Sequence, residues 1–511
     1  MSVVIKFFPD MYVDSVVQLS GMRAMREVEG VSWASAAMAT PANLETLQEQ
    51  GVDAAEVAGK GANDFFLVVI APDDDTAQAA LDAGHSAVFS SSEPAGHVTE
   101  TPIRSLRDAL DRQPDSNVAV ISVPGEYATL AAYQALNRGL HVLLFSDNVP
   151  LDKEIELKEF ARSKGLLVMG PGAGTALLGG VALGFANAVS PGKVGVVAAA
   201  GTGAQEVMSL LERWGVGVRV VVGLGGRDLH EEVGGMMAVS AIAALREDPE
   251  VEVILFVSKP PAESVAAAVL STTGDTPIVA TLIGLPSSFE APEGVVMADT
   301  LESGVVATMG ILGRHAPDTT VTLGPSIEEA VNRLAPGRTL VRGLFSGGTL
   351  CYESQVLLER VLGEVRSNVP INPDWGLPAP EGSHQCLDLG EEEYTKGRPH
   401  PMIDPEARVA LVREHAQDPQ VAAIILDVVL GYGANADPAG VFAPVCREVM
   451  ADGGPQVIAY VLGTDHDPQG FAEQRRQLAE AGCIVTETAA RASLVAAAIA
   501  LRDAEIQKQA L

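Results

Sequence analysis

The sequence has only four cysteines among its 511 residues, and no two of them form a C-x-x-C pair. A disulfide framework or a structural zinc site needs several thiols at short spacing, so neither is expected. The nine histidines include no H-x-x-x-H or H-E-x-x-H pattern, which argues against a catalytic metal. These absences fit a reducing compartment, and we predict a cytoplasmic protein.

Basic residues are also scarce, since 34 Lys and Arg stand against 66 Asp and Glu, for a formal net charge of −32. A surface of that sign repels nucleic acid and anionic lipid, so neither is an expected partner. No stretch reaches the about 18 uninterrupted apolar residues that a membrane-spanning helix needs. The first residues become acidic too early for a signal peptide. An anionic small molecule would have to be held by local donors, against the overall charge.

The length of 511 residues exceeds what one hydrophobic core supports, and 47 % apolar residues allow several cores. From residue 118 onward, β-branched runs alternate with helical patterns, which predicts parallel sheets. We predict an α/β protein with several flavodoxin-like or Rossmann-like parallel-sheet domains and a small N-terminal α/β domain. The predicted domains are 1–85, 103–190, 191–335 and 336–511, with a linker at 86–102.

Two glycine-rich turns connect a predicted strand to a predicted helix. Together they contain Gly201, Thr202, Gly203, Ser346, Gly347, Gly348 and Thr349. Glycine lets the backbone approach a ligand closely, and the N–H groups at the positive end of a helix favour an anion. Neither turn is a G-x-G-x-x-G motif or a P-loop, so no nucleotide fingerprint is present. Such a turn can also serve tight packing alone, but two in similar domains favour one shared anion site.

Other polar side chains follow predicted strands, at the edge where open parallel sheets bind their ligands. Arg227 and Lys259 are candidate cations for a phosphate or carboxylate, with a surface ion pair as the alternative. Glu126 and Asn435 lie in comparable loops and are candidate substrate contacts.

A proline-stiffened loop at 397–405 presents Arg398, His400 and Asp404. Histidine can transfer a proton near neutral pH, and arginine pairs with carboxylate or phosphate. We therefore predict that His400 and Arg398 are catalytic, together with Lys259 and Arg227. The alternative is a connector whose Asp404 caps a helix.

The motifs together resemble a known family. The runs VAVISVPGEYATLAAYQALNRGLHVLLFSDNVP and GLLVMGPGAGT resemble the CoA-binding domain of the succinyl-CoA synthetase α subunit. The runs KVGVVAAAGTGAQEV, VGLGGRDL and DPEVEVILFVSKPPAES resemble that subunit's ligase domain. The runs LDLGEEEYTKGRPHPMIDP and VLGTDHDPQGFAEQRRQLAEAGCIV resemble the β subunit's carboxyl domain. By these motifs the chain is identified as a member of the FdrA family, whose members are labelled acyl-CoA synthetases or large subunits of oxamate carbamoyltransferase.

The resemblance implies a CoA-binding-like domain at 103–190 and ligase-like domains at 191–335 and 336–511. It implies a transferase subunit that moves a carbamoyl group between carbamoyl phosphate and a small amide such as oxamate, in ureide or purine nitrogen catabolism. The alternative is an acid–CoA ligase that acts with a separate nucleotide-binding subunit, and a third reading is a non-catalytic anion sensor or scaffold. Expected partners are small anions such as phosphate or an oxamate-like acid, and either other transferase subunits or a second copy.

Two departures from the synthetase bear on the cofactors. The synthetase carries phosphate on a histidine, but the matching stretch at 278–300 contains none. The Gly-rich turn that holds the CoA phosphates in the synthetase is replaced by the unrelated residues 1–84. We therefore predict no phosphohistidine and no obligatory cofactor, with CoA kept as an option.

Overall fold

The computed structural model describes the chain except for residues 1, 12, 14, 62, 90–102, 104, 273, 287 and 396–398. The chain divides into two compact units, residues 1–102 with 392–399 and residues 103–391 with 400–511. No helix within the described residues is both long and apolar enough to cross a membrane. The four-domain division stays a prediction.

The first unit contains a three-stranded antiparallel sheet with strand order β1-β3-β2. The elements are β1 (Ser2–Phe8), α1 (Ser15–Arg26), β2 (Trp33–Met38), α2 (Pro41–Glu49), α3 (Ala54–Val57), β3 (Phe65–Ala71) and α4 (Asp74–Phe89). All seven residues of the central strand β3 are buried, as its apolar sequence predicts. The predicted linker is wrong at its start, because residues 86–89 complete α4, where Val88 is buried and the Phe89 ring packs 5.0 Å from that of Phe8. Residues 90–102 lie outside the described residues.

The second unit begins with a small parallel sheet, order β4-β5-β6, whose strands are joined by helices. Its elements are α5 (Leu106–Arg112), β4 (Val118–Ile121), α6 (Gly125–Asn137), β5 (His141–Leu144), α7 (Leu151–Ser163) and β6 (Val168–Met169). The hairpin β7 (Thr175–Leu178) and β8 (Val181–Gly184) then joins the next sheet at its edge.

Two larger sheets follow, and both are parallel except for the β7–β8 hairpin at the edge of the first. The first contains β9 (Val194–Ala199), α8 (Gly201–Arg213), β10 (Val220–Gly223), α9 (Met236–Glu247), β11 (Val253–Ser258), α10 (Glu263–Leu270), β12 (Ile278–Leu282), β13 (Val295–Met297) and α11 (Leu301–Ile311). After α12 (Leu323–Arg333), the second contains β14 (Leu340–Phe345), α13 (Gly348–Leu362), β15 (Val365–Ser367), β16 (His384–Asp388), α15 (Glu406–Ala416), β17 (Val421–Val429), α16 (Pro438–Met450), β18 (Gln456–Leu462), α17 (Phe471–Glu480), β19 (Ile484–Thr486) and α18 (Ala489–Leu501). The short helix α14 (Glu392–Thr395), which follows β16 in the chain, belongs to the first unit.

These two sheets share one topology. Five strands of each sheet, β10-β9-β11-β12-β13 and β16-β14-β17-β18-β19, have the flavodoxin-like order 2-1-3-4-5. The second sheet also has β15 at its edge, next to β16. The central strands β9, β11, β14 and β17 are buried along their whole length, because helices cover both faces. The predicted α/β fold with flavodoxin-like parallel sheets is confirmed.

Each of the two large sheets forms one half with its helices, and the two halves are joined by a reciprocal pair of hydrogen bonds. Glu206 of α8 accepts a hydrogen bond from the backbone N–H of Ala489, the first residue of α18, at 3.5 Å. Glu353 of α13 accepts one from the N–H of Leu301, the first residue of α11, at 2.7 Å. Each helix that follows a glycine turn thus caps the last helix of the other half. This arrangement sets α8 and α13 side by side.

Candidate functional site

The N-termini of α8 and α13 meet at a junction formed by the two glycine turns. A Cβ atom added to Gly347 would overlap the side chain of Thr202, and one added to Gly203 would lie 2.8 Å from Thr349 Cγ2. Only glycine permits so close an approach at these two positions. The structure therefore brings both predicted turns to one place, which we call the α8–α13 junction.

The junction offers hydrogen-bond donors from both helices. Within the described part of the chain, no acceptor contacts the N–H groups of Gly201, Thr202 and Gly203, which open α8. The same holds at the start of α13 for the N–H groups of Gly348 and Thr349. The first N–H groups of a helix have no partner inside it, so these groups can meet an anion.

The side chain of Thr349 adds a second signal at the same place. Its residue is 1 % exposed, and its Oγ1 is buried without a hydrogen-bond partner. A buried hydroxyl without a partner is costly, since it loses its hydrogen bonds to water without replacing them. The position therefore favours a polar group that the chain itself does not supply.

The N–H groups of Ser346 and Gly347 serve another purpose than predicted. Both donate to the carboxylate of Asp427, at 2.8 and 3.1 Å, and the Ser346 hydroxyl lies 3.1 Å from the same group. Arg408 pairs with Asp427 at 2.7 Å and also donates to the carbonyl of Leu344. These buried partners fix the start of α13, and the two amides are not available to a ligand.

A cation and a carboxylate lie over the first residue of α13. A Cβ on Gly348 would overlap Asp388 Oδ2 and lie 2.8 Å from Lys259 Nζ. The ammonium is 3.8 Å from Glu391 and stands 5.4 Å from the ring centroid of Tyr352. With 29 % of its side chain exposed, Lys259 can be reached from solvent. Its predicted role as a cation for an anionic ligand fits this placement and stays a prediction.

Asp388, which the sequence analysis did not single out, ends β16 at the junction and is 2 % exposed. Its Oδ1 accepts from the N–H of Gly390 at 3.0 Å. Burial raises the pKa of Asp388 to about 6, while Lys259 opposes the shift and Glu391 adds to it. Its position at the carboxyl end of a parallel strand was the signal that could have revealed it.

His400 also reaches the junction, but its protonation differs from the prediction. Burial, with a contribution from Arg408, lowers the pKa of His400 to about 4. Its Nδ1 accepts from the N–H of Met402 at 3.3 Å, so the neutral ring carries its proton on Nε2. A Cβ on Gly390 would lie 2.9 Å from His400 Nε2 and 3.2 Å from Asp388 Oδ1. The ring is a neutral donor near the junction, and a pKa of about 4 does not fit the predicted proton transfer near neutral pH.

Arg227 lies in an ion pair between sheets. Its Nη2 is 2.8 Å from Glu154 Oε2 and donates to the carbonyl of Val149 at 2.8 Å. Glu154 in turn pairs with the buried Lys158, which also contacts Asp228 at 2.8 Å. This is the ion-pair alternative that the sequence left open, and it links α7 to the loop after β10.

The other predicted residues are placed as follows. Asn435 donates through Nδ2 to the carbonyl of Ile403 at 3.0 Å, so it supports the His400 loop. Glu126 is exposed in the first turn of α6. Asp404 accepts from the N–H of Glu406, the first residue of α15, at 3.1 Å, whereas the N-cap residue of that helix is Pro405. Arg398 lies outside the described residues. Within the described chain, no group of three or more His, Cys, Asp or Glu side chains could hold a metal ion.

Three family models match parts of the chain. Residues 344–499 match a model described as CoA-ligase, and residues 189–279 match one described as CoA binding domain. Residues 1–102 match the model "AllF, heavy metal-associated domain", although this stretch contains no cysteine. The CoA-binding model falls on the segment predicted as the first ligase-like domain, whereas the prediction placed CoA-binding character at 103–190.

The protein YahF of Escherichia coli (strain K12) is 37 % identical over 508 residues, which cover 97 % of this chain and 98 % of YahF. The chain belongs to the YahF family. With the three models, this assignment fits an FdrA-like family related to succinyl-CoA synthetase, as predicted.

More distant relatives of the YahF family are subunits of CoA ligases. The sulfoacetate-CoA ligase subunit SauD of Bilophila wadsworthia (strain 3_1_6) is 26 % identical over 40 % of this chain and 70 % of its own. The succinate–CoA ligase subunit alpha 2 of Archaeoglobus fulgidus is 28 % identical over 30 % of this chain and 54 % of its own.

Solved structures give weaker matches. The apo acetyl-coenzyme A synthetase 1 of Ca. Korarchaeum cryptofilum has a TM-score of 0.29 at 17 % identity, covering 77 % of this chain and 86 % of that one. The ATP citrate lyase of Methanothrix soehngenii has a TM-score of 0.31 at 19 % identity, covering 42 % of this chain and 38 % of that one.

Proposed function

We propose that this chain is the acyl-transferring subunit of a CoA-ligase-type enzyme. In this proposal the phosphate of an acyl phosphate binds at the α8–α13 junction, and the acyl group passes to the thiol of CoA. The observation that carries it is the convergence of two helix N-termini, the Lys259 ammonium and the unpartnered Thr349 hydroxyl at one place. The CoA-ligase and CoA-binding models cover the residues of both glycine turns, which supports the same reaction class.

The chemistry of acyl transfer fits such a site. A phosphate dianion gains from the N–H groups that open α8 and α13 and from the Lys259 ammonium, which together oppose the acidic surface. Transfer needs the two reactants held in line and the departing phosphate stabilised, and it needs no covalent intermediate on the protein. In this proposal a separate subunit handles the nucleotide. The names of two relatives, SauD and the succinate–CoA ligase subunit alpha 2, describe them as subunits of ADP-forming ligases. We also propose that the enzyme is cytoplasmic.

A second candidate is carbamoyl transfer from carbamoyl phosphate to a small amide such as oxamate. The observation that favours it is the stretch 278–300, which lacks the histidine that would relay phosphate in a ligase. Carbamoyl phosphate presents the same dianion to the junction, so the two candidates share the site and differ in the acceptor.

A phosphate-release assay separates the two candidates. Purified protein, with and without co-purifying subunits, is given succinyl or acetyl phosphate with CoA, or carbamoyl phosphate with oxamate. Release that depends on CoA supports the ligase-type reaction, and release that depends on oxamate supports the second candidate. Absence of release with every pair, together with absence of phosphate binding by calorimetry, contradicts both.

Lys259→Gln tests the site itself. Loss of the ammonium should weaken phosphate binding at least about tenfold, because a charge-assisted contact contributes roughly 1.5–3 kcal/mol. The matched control is Lys193→Gln, since Lys193 pairs with Glu252 on the surface and has 60 % of its side chain exposed. Equal phosphate affinity in the wild type and Lys259→Gln would remove Lys259 from the site.

A further inference from the structure

Two buried aspartates lie near the start of α13, and they differ in how their oxygens are used. The Asp427 carboxylate is saturated by Ser346, Gly347 and the guanidinium of Arg408. Asp388 Oδ1 has one donor, the N–H of Gly390, whereas no hydrogen-bond donor among the described residues contacts its Oδ2. Asp427 therefore has a positioning role, and Asp388 keeps one oxygen for another group.

The free oxygen of Asp388 faces the place where the ligand would lie. Oδ2 and Lys259 Nζ both lie within 3 Å of the place that a Cβ on Gly348 would take, at the same helix start as the unpartnered Thr349 Oγ1. The Asp388 residue is only 2 % exposed, and its Oδ2, which no described donor contacts, can accept a proton or a donor from a ligand. An acid placed beside a phosphate site is also unfavourable for simple phosphate binding, because the charges repel.

We propose that Asp388 is a catalytic residue of the α8–α13 junction, which takes the proton of the attacking nucleophile and returns it to the departing phosphate. The inference rests on the proposed function. In transfer to a thiol, the S–C bond forms and the C–O bond between the acyl group and the phosphate breaks. The thiol proton moves to Asp388 Oδ2 and then to the phosphate oxygen that leaves. With an amide acceptor the N–H proton follows the same route.

The charges around Asp388 set the pH at which it exchanges a proton. Burial raises its pKa to about 6, Glu391 and Asp427 add to the shift, and the ammonium of Lys259 opposes it. His400 faces the same side as a neutral ring near pH 7, because its pKa lies at about 4. The thiol of Cys351 on α13 stays protonated, since burial raises its pKa well above the ordinary value. Asp388, beside Lys259 and the start of α13, can thus exchange a proton near pH 6.

The binding test uses sulfate, a dianion that does not titrate near neutral pH. Sulfate is titrated into the full chain by calorimetry at about pH 6.5, in buffers that differ in ionisation enthalpy. A bound dianion should raise the pKa of Asp388, so we expect sulfate binding to take up a fraction of a proton. Asp388→Asn keeps the shape and the Oδ1 acceptor, and it should bind sulfate at least as well with that uptake lost. Glu359→Gln, an exposed change on α13, is the control and should retain the uptake.

The outcomes separate this inference from the proposed function. No sulfate binding by the wild type overturns the anion site and the inference with it. Equal proton uptake by the wild type and Asp388→Asn overturns the inference alone. With whichever acyl or carbamoyl phosphate supports turnover, Asp388→Asn should lower kcat at least about 100-fold and remove the acidic limb of the rate profile. A variant that folds and turns over like wild type also overturns it.

Discussion

At the scale of single residues, protonation decides what His400 can do at the junction. A ring whose pKa lies at about 4 is neutral at physiological pH, and its Nδ1 is occupied by the N–H of Met402. His400→Gln should therefore reduce kcat by about tenfold through loss of a donor, by the same factor at every pH between about 6 and 9. The measurement is a pH–rate profile, with His466→Gln as a control because 62 % of the His466 side chain is exposed. Selective loss of a limb near pH 6 to 7 would instead restore the proton-transfer role.

Sequence patterns could not rank the candidate cations at this scale. Lys259 and Arg227 both follow a strand of a parallel sheet, so the pattern treats them alike. Their partners lie far along the chain, since Val149 is 78 residues from Arg227 and the Lys259 ammonium meets Glu391. Which cation is occupied by an ion pair depends on how the sheets pack, and composition or periodicity does not record that packing.

At the scale of elements, the contact between α8 and α13 depends on glycine at position 347. A Cβ there would overlap Thr202, whereas Gly201 has open space around it. Gly347→Ala should destabilise the chain by roughly 1–3 kcal/mol, as overpacking in a core does, and lower its Tm. Gly201→Ala is the matched control and should change stability by less than about 0.5 kcal/mol. Thermal unfolding followed by circular dichroism measures both, and equal Tm values would contradict the close packing of the two turns.

Much of the element structure could be predicted, because local patterns determine it. The buried strands follow β-branched runs, and the two glycine turns sit between a strand and a helix as predicted. The acceptor of the Ser346 N–H could not be predicted from local sequence, because the Asp427 carboxylate lies 81 residues further along the chain. The same limit applies to Asp388, which carries no local motif and becomes notable only when Gly348 and Lys259 are packed against it.

At the scale of the whole molecule, the two flavodoxin-like halves are joined through buried glutamates. Burial raises the pKa of Glu353 to about 8, with contributions from Glu206 and Glu302, and burial raises that of Glu206 to about 7, with a contribution from Glu302. Arg213 and the Tyr460 hydroxyl face Glu206 and oppose its shift. The sequence showed two similar domains, but the reciprocal capping of Ala489 and Leu301 is a property of their docking alone.

Because of these glutamates, the folded chain should become less stable as the pH rises above neutrality. Their folded-state pKa values lie above the ordinary value of 4.5, so the folded chain holds protons that the unfolded chain releases. The stabilisation is complete below pH 4.5 and is lost as pH rises through about 7 and about 8. Tm should therefore fall by a few degrees between about pH 6 and pH 9.

Glu353→Gln keeps an acceptor for the N–H of Leu301 without a charge, and it should flatten this fall in a series of thermal melts. Glu359→Gln, on the exposed part of α13, should leave the fall unchanged. A slope in Glu353→Gln as steep as in the wild type would mean that another group releases the proton.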